Sequence, residues 1–207
     1  MAGKPLSTIR LVDLLCSAGM PGDAQATQQR LIIAATAEFA AHGLAGARVD
    51  RIAAAARANK AQIYHYFGSK DQLFDAIFRT LVVDTTRAVP LDPLDLPGYA
   101  GRLFDSYEHQ PELRRIATWR RLERGAPHPQ LDHLVENNRT DIAAIAQAQE
   151  DGRLSSHFQA AELLTMVLTL AAMWMSQTPE LTQALQKVSR VRRREVVVDA
   201  VKAILAA

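Results

Sequence analysis

The chain has 207 residues, of which 48% are hydrophobic and 22% are charged, and its formal net charge is +2. This composition is typical of a globular protein and excludes a largely disordered chain. Cys16 is the single cysteine, which excludes an intramolecular disulfide and a cysteine-rich zinc site.

The sequence gives no sign of membrane insertion or export. Its longest apolar run, LLTMVLTLAAMWM at residues 163–175, is shorter than the roughly 20 residues needed to span a bilayer. Near the N-terminus, the segment STIRLVDLLCSAG is interrupted by Arg10 and Asp13 and does not resemble a secretory signal. We therefore expect a cytoplasmic protein without a membrane partner.

The apolar pattern predicts an all-α fold, because apolar residues recur three and four positions apart and strand-like alternation is rare. Residues 1–25 are rich in proline and glycine and are expected to form a flexible N-terminal arm. A first helix is predicted from Ala26 to Gly43, where the glycine favours a left-handed end. A short second helix follows, with the apolar positions Val49, Ile52, Ala53 and Ala56.

A third helix is predicted from Lys60 to about Tyr66. Asn59 is a good N-cap for it, and Ile63 and Phe67 are spaced to face the core. A fourth helix should begin after Ser69 and continue toward Val83.

Three prolines in RAVPLDPLDLPG, residues 87–98, predict a break in helical structure. We accordingly expect a three-helix N-terminal domain at 26–80 and a larger C-terminal helical domain at 81–207. Four longer helices are predicted within the latter at 99–123, 130–151, 159–177 and 195–205, with a shorter element at 181–188.

The second and third predicted helices, joined by a tight turn, form a helix-turn-helix that can place its second helix in the major groove of DNA. Lys60 and Gln62 can hydrogen-bond base edges, Tyr64 can donate to a phosphate, and His65 can contact a thymine methyl group or a sugar. Ala61 leaves room for close approach. Lys70, at the start of the next helix, can bind a phosphate.

Two segments carry a specific resemblance: RLIIAATAEFAAHG and VDRIAAAARANKAQIYHYFGSKDQLFDAIF. Over about residues 27–79 the chain resembles the DNA-binding region of the TetR family of bacterial transcriptional repressors. Its signature positions are matched by Ala56, Lys60, Ile63, Tyr64, Phe67, Ser69 and Lys70. The resemblance implies that Tyr64 and Lys70 contact phosphates and that Lys60, Ala61, Gln62 and His65 lie near bases.

The chain departs from the family pattern at several positions. Ala47 and Arg48 stand where hydroxyl residues are common, so Arg48 is expected to replace a lost phosphate contact. Arg57 occupies the turn position usually held by glycine and would be strained if that backbone needs a positive φ. Asn59 replaces a serine but can cap the helix equally well.

The resemblance also implies that the C-terminal domain forms a homodimer and binds a small effector. The run at 163–175 supports a dimer independently, because it is apolar on nearly all sides. Candidate effector-binding residues are the aromatic and methionine residues Phe104, Tyr107, Trp119, Met166, Met173 and Trp174, with core packing as the simpler role for each. The arginines of ELRRIATWRRLERG, residues 112–125, are interpreted as a solvated, ion-paired face.

No histidine pair has metal-ligand spacing, and no nucleotide-binding glycine loop or placed nucleophile is present, so neither a metal nor a cofactor is expected. The favoured function is a repressor that binds operator DNA and leaves it when an effector binds. The first alternative is a helical ligand-binding or interaction protein whose DNA contact has decayed. An all-helical enzyme ranks lower, because no catalytic constellation is found.

Overall fold

The computed structural model describes residues 22–124 and 132–206. These residues form helices joined by short connections and contain no strand, so the predicted all-α fold is confirmed over them. The helices are α1 (Gly22–Gly46), α2 (Val49–Ala56), α3 (Lys60–Phe67), α4 (Lys70–Ala88), α5 (Leu96–His109), α6 (Pro111–Arg124), α7 (Asp132–Glu150), α8 (Ala160–Ala172), α9 (Pro179–Ala184) and α10 (Arg190–Leu205), with a 3-10 turn at Met173–Met175 between α8 and α9.

Several predicted helix bounds were wrong. The single helix predicted at 99–123 is two helices, α5 and α6, because Pro111 lacks an N–H and fits only the first turn of a helix. Helix α10 begins at Arg190 rather than residue 195, since the Ser189 hydroxyl caps the Arg192 N–H at 3.2 Å. Helix α1 begins at Gly22, and residues 1–21 of the expected arm lie outside the described residues.

The chain divides into two compact units. Among the described residues, the first contains those up to Asp84 and those from His109 to Arg124, and the second contains the remainder. Helix α6 thus belongs to the first unit, although the sequence analysis placed all residues after 80 in the C-terminal domain. In the first unit Phe39 of α1 and Phe74 of α4 pack edge to face, with ring centroids 5.1 Å apart, and Ile52 and Ile63 are fully buried.

Gly43 has a φ of +69°, which agrees with the left-handed conformation predicted for this glycine. It interrupts α1, and helical turns then resume as far as Gly46. A Cβ at this position would lie 2.8 Å from Cδ2 of Trp119, and the glycine is therefore required both by the backbone and by the close approach of α6. The kink ends the straight part of α1 and turns the chain toward α2.

The second unit has its own apolar core, formed by α5, α7, α8 and α10. Phe104 is fully buried at its centre. Asp105 of α5 accepts hydrogen bonds from Arg190 at 2.6 Å and from Arg194 at 2.7 Å, and these bonds tie α10 to α5. The Trp174 indole N–H donates to the Arg193 carbonyl oxygen at 3.0 Å, which anchors the end of α8 to the same helix.

Arg57, in the turn between α2 and α3, has a φ of +51°, so the strain expected at this non-glycine residue is present. We predict that Arg57→Gly stabilises the chain by about 0.5–1 kcal/mol, because relief of the strain exceeds the added entropy of the unfolded glycine. Urea unfolding measures the change.

The matched control is Ala55→Gly, at an exposed position with ordinary helical backbone in α2. That change should destabilise the chain by about 0.5–1 kcal/mol. A loss of stability in Arg57→Gly as well would show that the left-handed turn carries no strain.

Candidate nucleic-acid interface

Helix α3 is held in place by a capping box at its N-terminus. The Asn59 side chain accepts the Ala61 N–H at 2.9 Å, and the Gln62 side chain accepts the Asn59 N–H at 2.8 Å. Two backbone donors that a helix start leaves unpaired are thereby satisfied. The N-cap predicted at Asn59 is confirmed, but the reciprocal bond from Gln62 had not been expected.

The outward face of α3 carries the predicted contact residues. Ile63 is fully buried and fixes the inner face of the helix. Lys60, Ala61, Tyr64 and His65 are exposed, with Tyr64 at 45%, and Gln62 is half-buried because its side chain is part of the cap. The structure therefore brings five of the seven predicted DNA-contact residues onto one short helix.

The other two predicted residues, Arg48 and Lys70, lie at the N-terminal ends of the neighbouring helices. Arg48 is the N-cap of α2 and is exposed. Lys70 opens α4, and its ammonium donates to the carbonyl oxygen of Ala47, next to Arg48, at 3.1 Å. Because helix N-termini attract anions, the cations there add to a field that favours phosphate.

Lys60 is paired with a carboxylate that the sequence analysis did not single out. Its ammonium lies 3.0 Å from Oδ1 of Asp50, in the first turn of α2. The hydrogen bond to Asp50 raises the pKa of Lys60, so the ammonium form is further favoured.

The start of α2 is fixed to α1 by Glu38. Its Oε1 accepts the Arg48 N–H at 2.9 Å and the Arg51 Nε–H at 2.8 Å. Burial alone would raise the pKa of Glu38, but the bonds from Arg51 and Arg48 outweigh it and the pKa is lowered. Glu38 therefore remains ionised and keeps the first turn of α2 in place.

Side chains of α6 form hydrogen bonds with the backbone around the kink of α1. The Trp119 indole N–H donates to the Ala40 carbonyl oxygen at 3.3 Å. One carboxylate oxygen of Glu123 accepts the N–H groups of Leu44 and Ala45 at 2.6 Å and 3.1 Å. These are the backbone donors that the kink at Gly43 exposes, so the segment leading into α2 is held by a side chain far along the chain.

Arg124, the last residue of α6, is only 8% exposed and binds two carboxylates near the start of α4. It donates to Asp75 at 2.6 Å and to Asp71 at 2.9 Å, and its guanidinium lies 5.3 Å from the ring centroid of Phe74. The interpretation of this arginine-rich segment as a solvated face was wrong for Arg124. No local signal distinguishes it from exposed Arg121, because its partners are 49 and 53 residues away.

The predicted effector residues lie in different places. Phe104 is in the core of the second unit, and Tyr107, Met166 and Trp174 are partly buried against that core. Met173 is partly buried in the 3-10 turn. Trp119 belongs to the first unit and packs on α1, as described above.

Two polar groups of the second unit were missed by sequence reasoning. Tyr99 is 5% exposed, and burial, with the nearby Asp141 carboxylate as a further cause, raises its pKa. Burial also raises the pKa of Asp141, against the opposing effect of a 3.0 Å hydrogen bond from Asn137. Tyr99 follows Leu96, Pro97 and Gly98 at the start of α5, and nothing in that local pattern distinguishes it from an ordinary core residue.

Over residues 22–124 and 132–206, no group of three His, Cys, Asp or Glu side chains is arranged to hold a metal ion. In the same part of the chain, no helix has both the length and the apolar content needed to cross a membrane.

Two short helices joined by a tight turn, the second with a capped N-terminus and an exposed polar face, define a helix-turn-helix protein. Comparison with known families agrees. Residues 31–77 match the bacterial regulatory proteins of the tetR family, and residues 95–202 match the tetracyclin repressor-like C-terminal domain. The chain belongs to the TetR family and is a DNA-binding transcriptional regulator rather than an enzyme.

The chain is also similar to individual transcriptional regulators. The HTH-type transcriptional repressor SCO4008 of Streptomyces coelicolor is 40% identical over 164 residues, which are 79% of this chain and 85% of the relative. The repressor NicS of Pseudomonas putida is 31% identical over about half of each chain. The crystal structure of SCO4942 from Streptomyces coelicolor superposes with a TM-score of 0.78 at 38% identity, covering 86% of this chain and 97% of that one.

We predict that Arg124→Ala destabilises the chain by roughly 3 kcal/mol, because it leaves Asp71 and Asp75 without their buried cation and removes packing against Phe74. Urea unfolding followed by circular dichroism measures the loss.

The control is Arg121→Ala, an exposed arginine one turn earlier on the same helix, which should change stability by less than about 0.5 kcal/mol. Equal effects of the two substitutions would contradict an anchoring role for Arg124.

Proposed function

We propose that this chain is a homodimeric repressor that binds a pseudopalindromic operator through α3 and releases it when a small molecule binds the second unit. The observation that supports this most is the outward face of α3, flanked by the cation-bearing N-termini of α2 and α4.

The proposed contacts follow from the chemistry of each side chain. Tyr64 and Lys70 bind phosphates, and Arg48 supplies a phosphate contact where the family commonly has a hydroxyl. Lys60 and Gln62 donate to base edges. Ala61 permits close approach, and His65, whose ring stacks edge to face on Tyr66 with centroids 5.2 Å apart, presents a flat surface to a thymine methyl group or a sugar.

A homodimer doubles these contacts and presents two reading helices to successive major grooves, with half-sites about one helical turn or a multiple apart. Part of the apolar surface of α8 is used within its own unit, where Leu163, Leu164 and Val167 are buried. The partly buried Leu168 and Leu170 on the same helix supply surface that a partner subunit would cover.

The effector is proposed to bind the second unit, where Phe104, Tyr107, Met166, Met173 and Trp174 supply apolar and adaptable surface. Tyr99 and Asp141 add two desolvated polar groups to the same unit, which suits a ligand with hydrogen-bond donors. Trp119 is the weaker candidate, since its contacts on α1 already account for its position.

Release requires that the effector prefer the arrangement in which the two reading helices no longer match the half-site spacing. A ligand that binds both arrangements equally would leave the operator complex unchanged.

The double substitution Tyr64→Ala, Lys70→Ala should weaken operator binding by at least about tenfold and reduce the salt slope by about one for each bound subunit, because it removes phosphate contacts without removing base contacts. Fluorescence anisotropy at several salt concentrations, with the DNA upstream of the chain's own gene, measures both quantities.

The control for the loss of one cation is Lys202→Ala. It replaces an exposed lysine of α10 in the second unit and should leave the operator affinity unchanged. Normal operator affinity in a folded Tyr64→Ala, Lys70→Ala protein would refute the assignment of these residues.

Gln62→Glu separates the cap from the base contact. Glutamate at this position preserves the capping box, so the free energy of unfolding should change by less than about 0.5 kcal/mol. Operator affinity should fall by at least about tenfold, because the side chain loses its donors and places a negative charge toward DNA. Anisotropy and urea unfolding give the two readouts, and a variant that binds the operator normally would remove Gln62 from the interface.

A further inference from the structure

The ion pair between Lys60 and Asp50 stands on the face proposed to meet DNA. The Lys60 ammonium lies 3.0 Å from Oδ1 of Asp50 and 3.3 Å from Oδ2, so it is shared between the two oxygens. The Asp50 side chain is 76% exposed and that of Lys60 is 48% exposed. The pair is therefore accessible to a ligand on the outside of the helix-turn-helix.

The carboxylate changes what this face can bind. A phosphate offers only acceptors and a negative charge, so it attracts Lys60 but repels Asp50. Docking on the DNA backbone alone must separate the ion pair or bring its carboxylate toward the phosphates. While Lys60 is paired with Asp50, its ammonium is therefore not available to the phosphates of DNA of arbitrary sequence.

A G·C base pair offers a different partner in the major groove. Guanine presents the acceptors O6 and N7, and the cytosine beside it presents the N4 amino donor. An ammonium and a carboxylate held next to each other match this pattern, because the lysine can donate to guanine while the aspartate accepts from cytosine. In an A·T pair, the donor on adenine lies next to the acceptor O4 and the methyl group of thymine. This base pair therefore lacks the paired acceptors that guanine offers to an ammonium.

We propose that Asp50 is a specificity-determining residue, which acts with Lys60 to read one G·C base pair in each half-site and to disfavour binding to other DNA. This inference rests on the proposed function, because it takes the face of α3 to be the DNA-reading surface. It assigns a role to Asp50 beyond the contact residues expected from the family pattern.

The test compares the wild-type chain with Asp50→Asn, which keeps the size of the side chain and removes its charge. Each protein first selects its preferred duplexes from a random-sequence library. Binding to the wild-type-selected duplex and to a scrambled duplex of equal length is then measured by anisotropy at several salt concentrations. Circular dichroism checks that both proteins are folded.

For Asp50→Asn we expect tighter binding to the scrambled duplex, with a salt slope steeper by about 0.9 for each bound subunit, because Lys60 becomes available to a phosphate. The ratio of affinities for selected and scrambled duplex should fall by at least about tenfold, as expected for loss of one base-reading contact. The duplexes selected by Asp50→Asn should have lost the preference for G·C at one position in each half-site.

Two controls isolate the mechanism. Glu136→Gln makes the same change in charge at an exposed ion pair on α7, with Arg139 at 2.9 Å in the second unit, and should leave the affinity ratio unchanged. In a Lys60→Ala background, Asp50→Asn should no longer steepen the salt slope by this amount, because no lysine is left to be released to a phosphate.

The inference is overturned if the wild-type chain selects a defined sequence but Asp50→Asn keeps the same affinity ratio and the same base preferences. It is also overturned if the effect of Asp50→Asn is as large in the Lys60→Ala background. If the wild-type chain selects no sequence at all, the proposed function itself fails, and the inference fails with it.

Discussion

The geometry of the proposed DNA-reading surface depends on an eight-residue helix that could not persist alone. Isolated helices shorter than about 12 residues are marginal in water, so α3 owes its form to what holds it. Asn59 and Gln62 satisfy its first donors, and Ile63 anchors it in the core. Because these same restraints set its rotation about its own axis, they also decide which side chains point outward.

The unit that carries α3 is completed by a helix from much later in the chain. Glu123 holds the backbone beyond the kink of α1, and Arg124 holds the first turn of α4, which carries Lys70. Helix α6 is therefore part of the structure that positions the cations proposed to bind phosphate. Along the chain, only Gln110 separates α6 from α5.

Features with local causes were predictable from the sequence. The cap at Asn59, the positive φ at Gly43 and the strained turn at Arg57 each follow from the preferences of one residue and its near neighbours. The outward placement of Tyr64 and His65 followed in the same way, from the spacing of Ile63 within one helix.

Features that depend on residues distant in sequence were not predictable. The partners of Glu123 lie 79 and 78 residues away, and those of Arg124 lie 49 and 53 residues away, so no helical period reveals them. The break at Gln110 was missed for another reason: the apolar period continues through it, and only the missing N–H of Pro111 requires a new helix there.

A crystal structure of the chain bound to its selected duplex would show directly whether α3 reads DNA. We expect α3 to lie in the major groove with Lys60, Gln62 and His65 at base edges, while Tyr64 and Lys70 contact phosphates on its flank. A complex in which the duplex lies against the second unit, with the outward face of α3 in solvent, would contradict it.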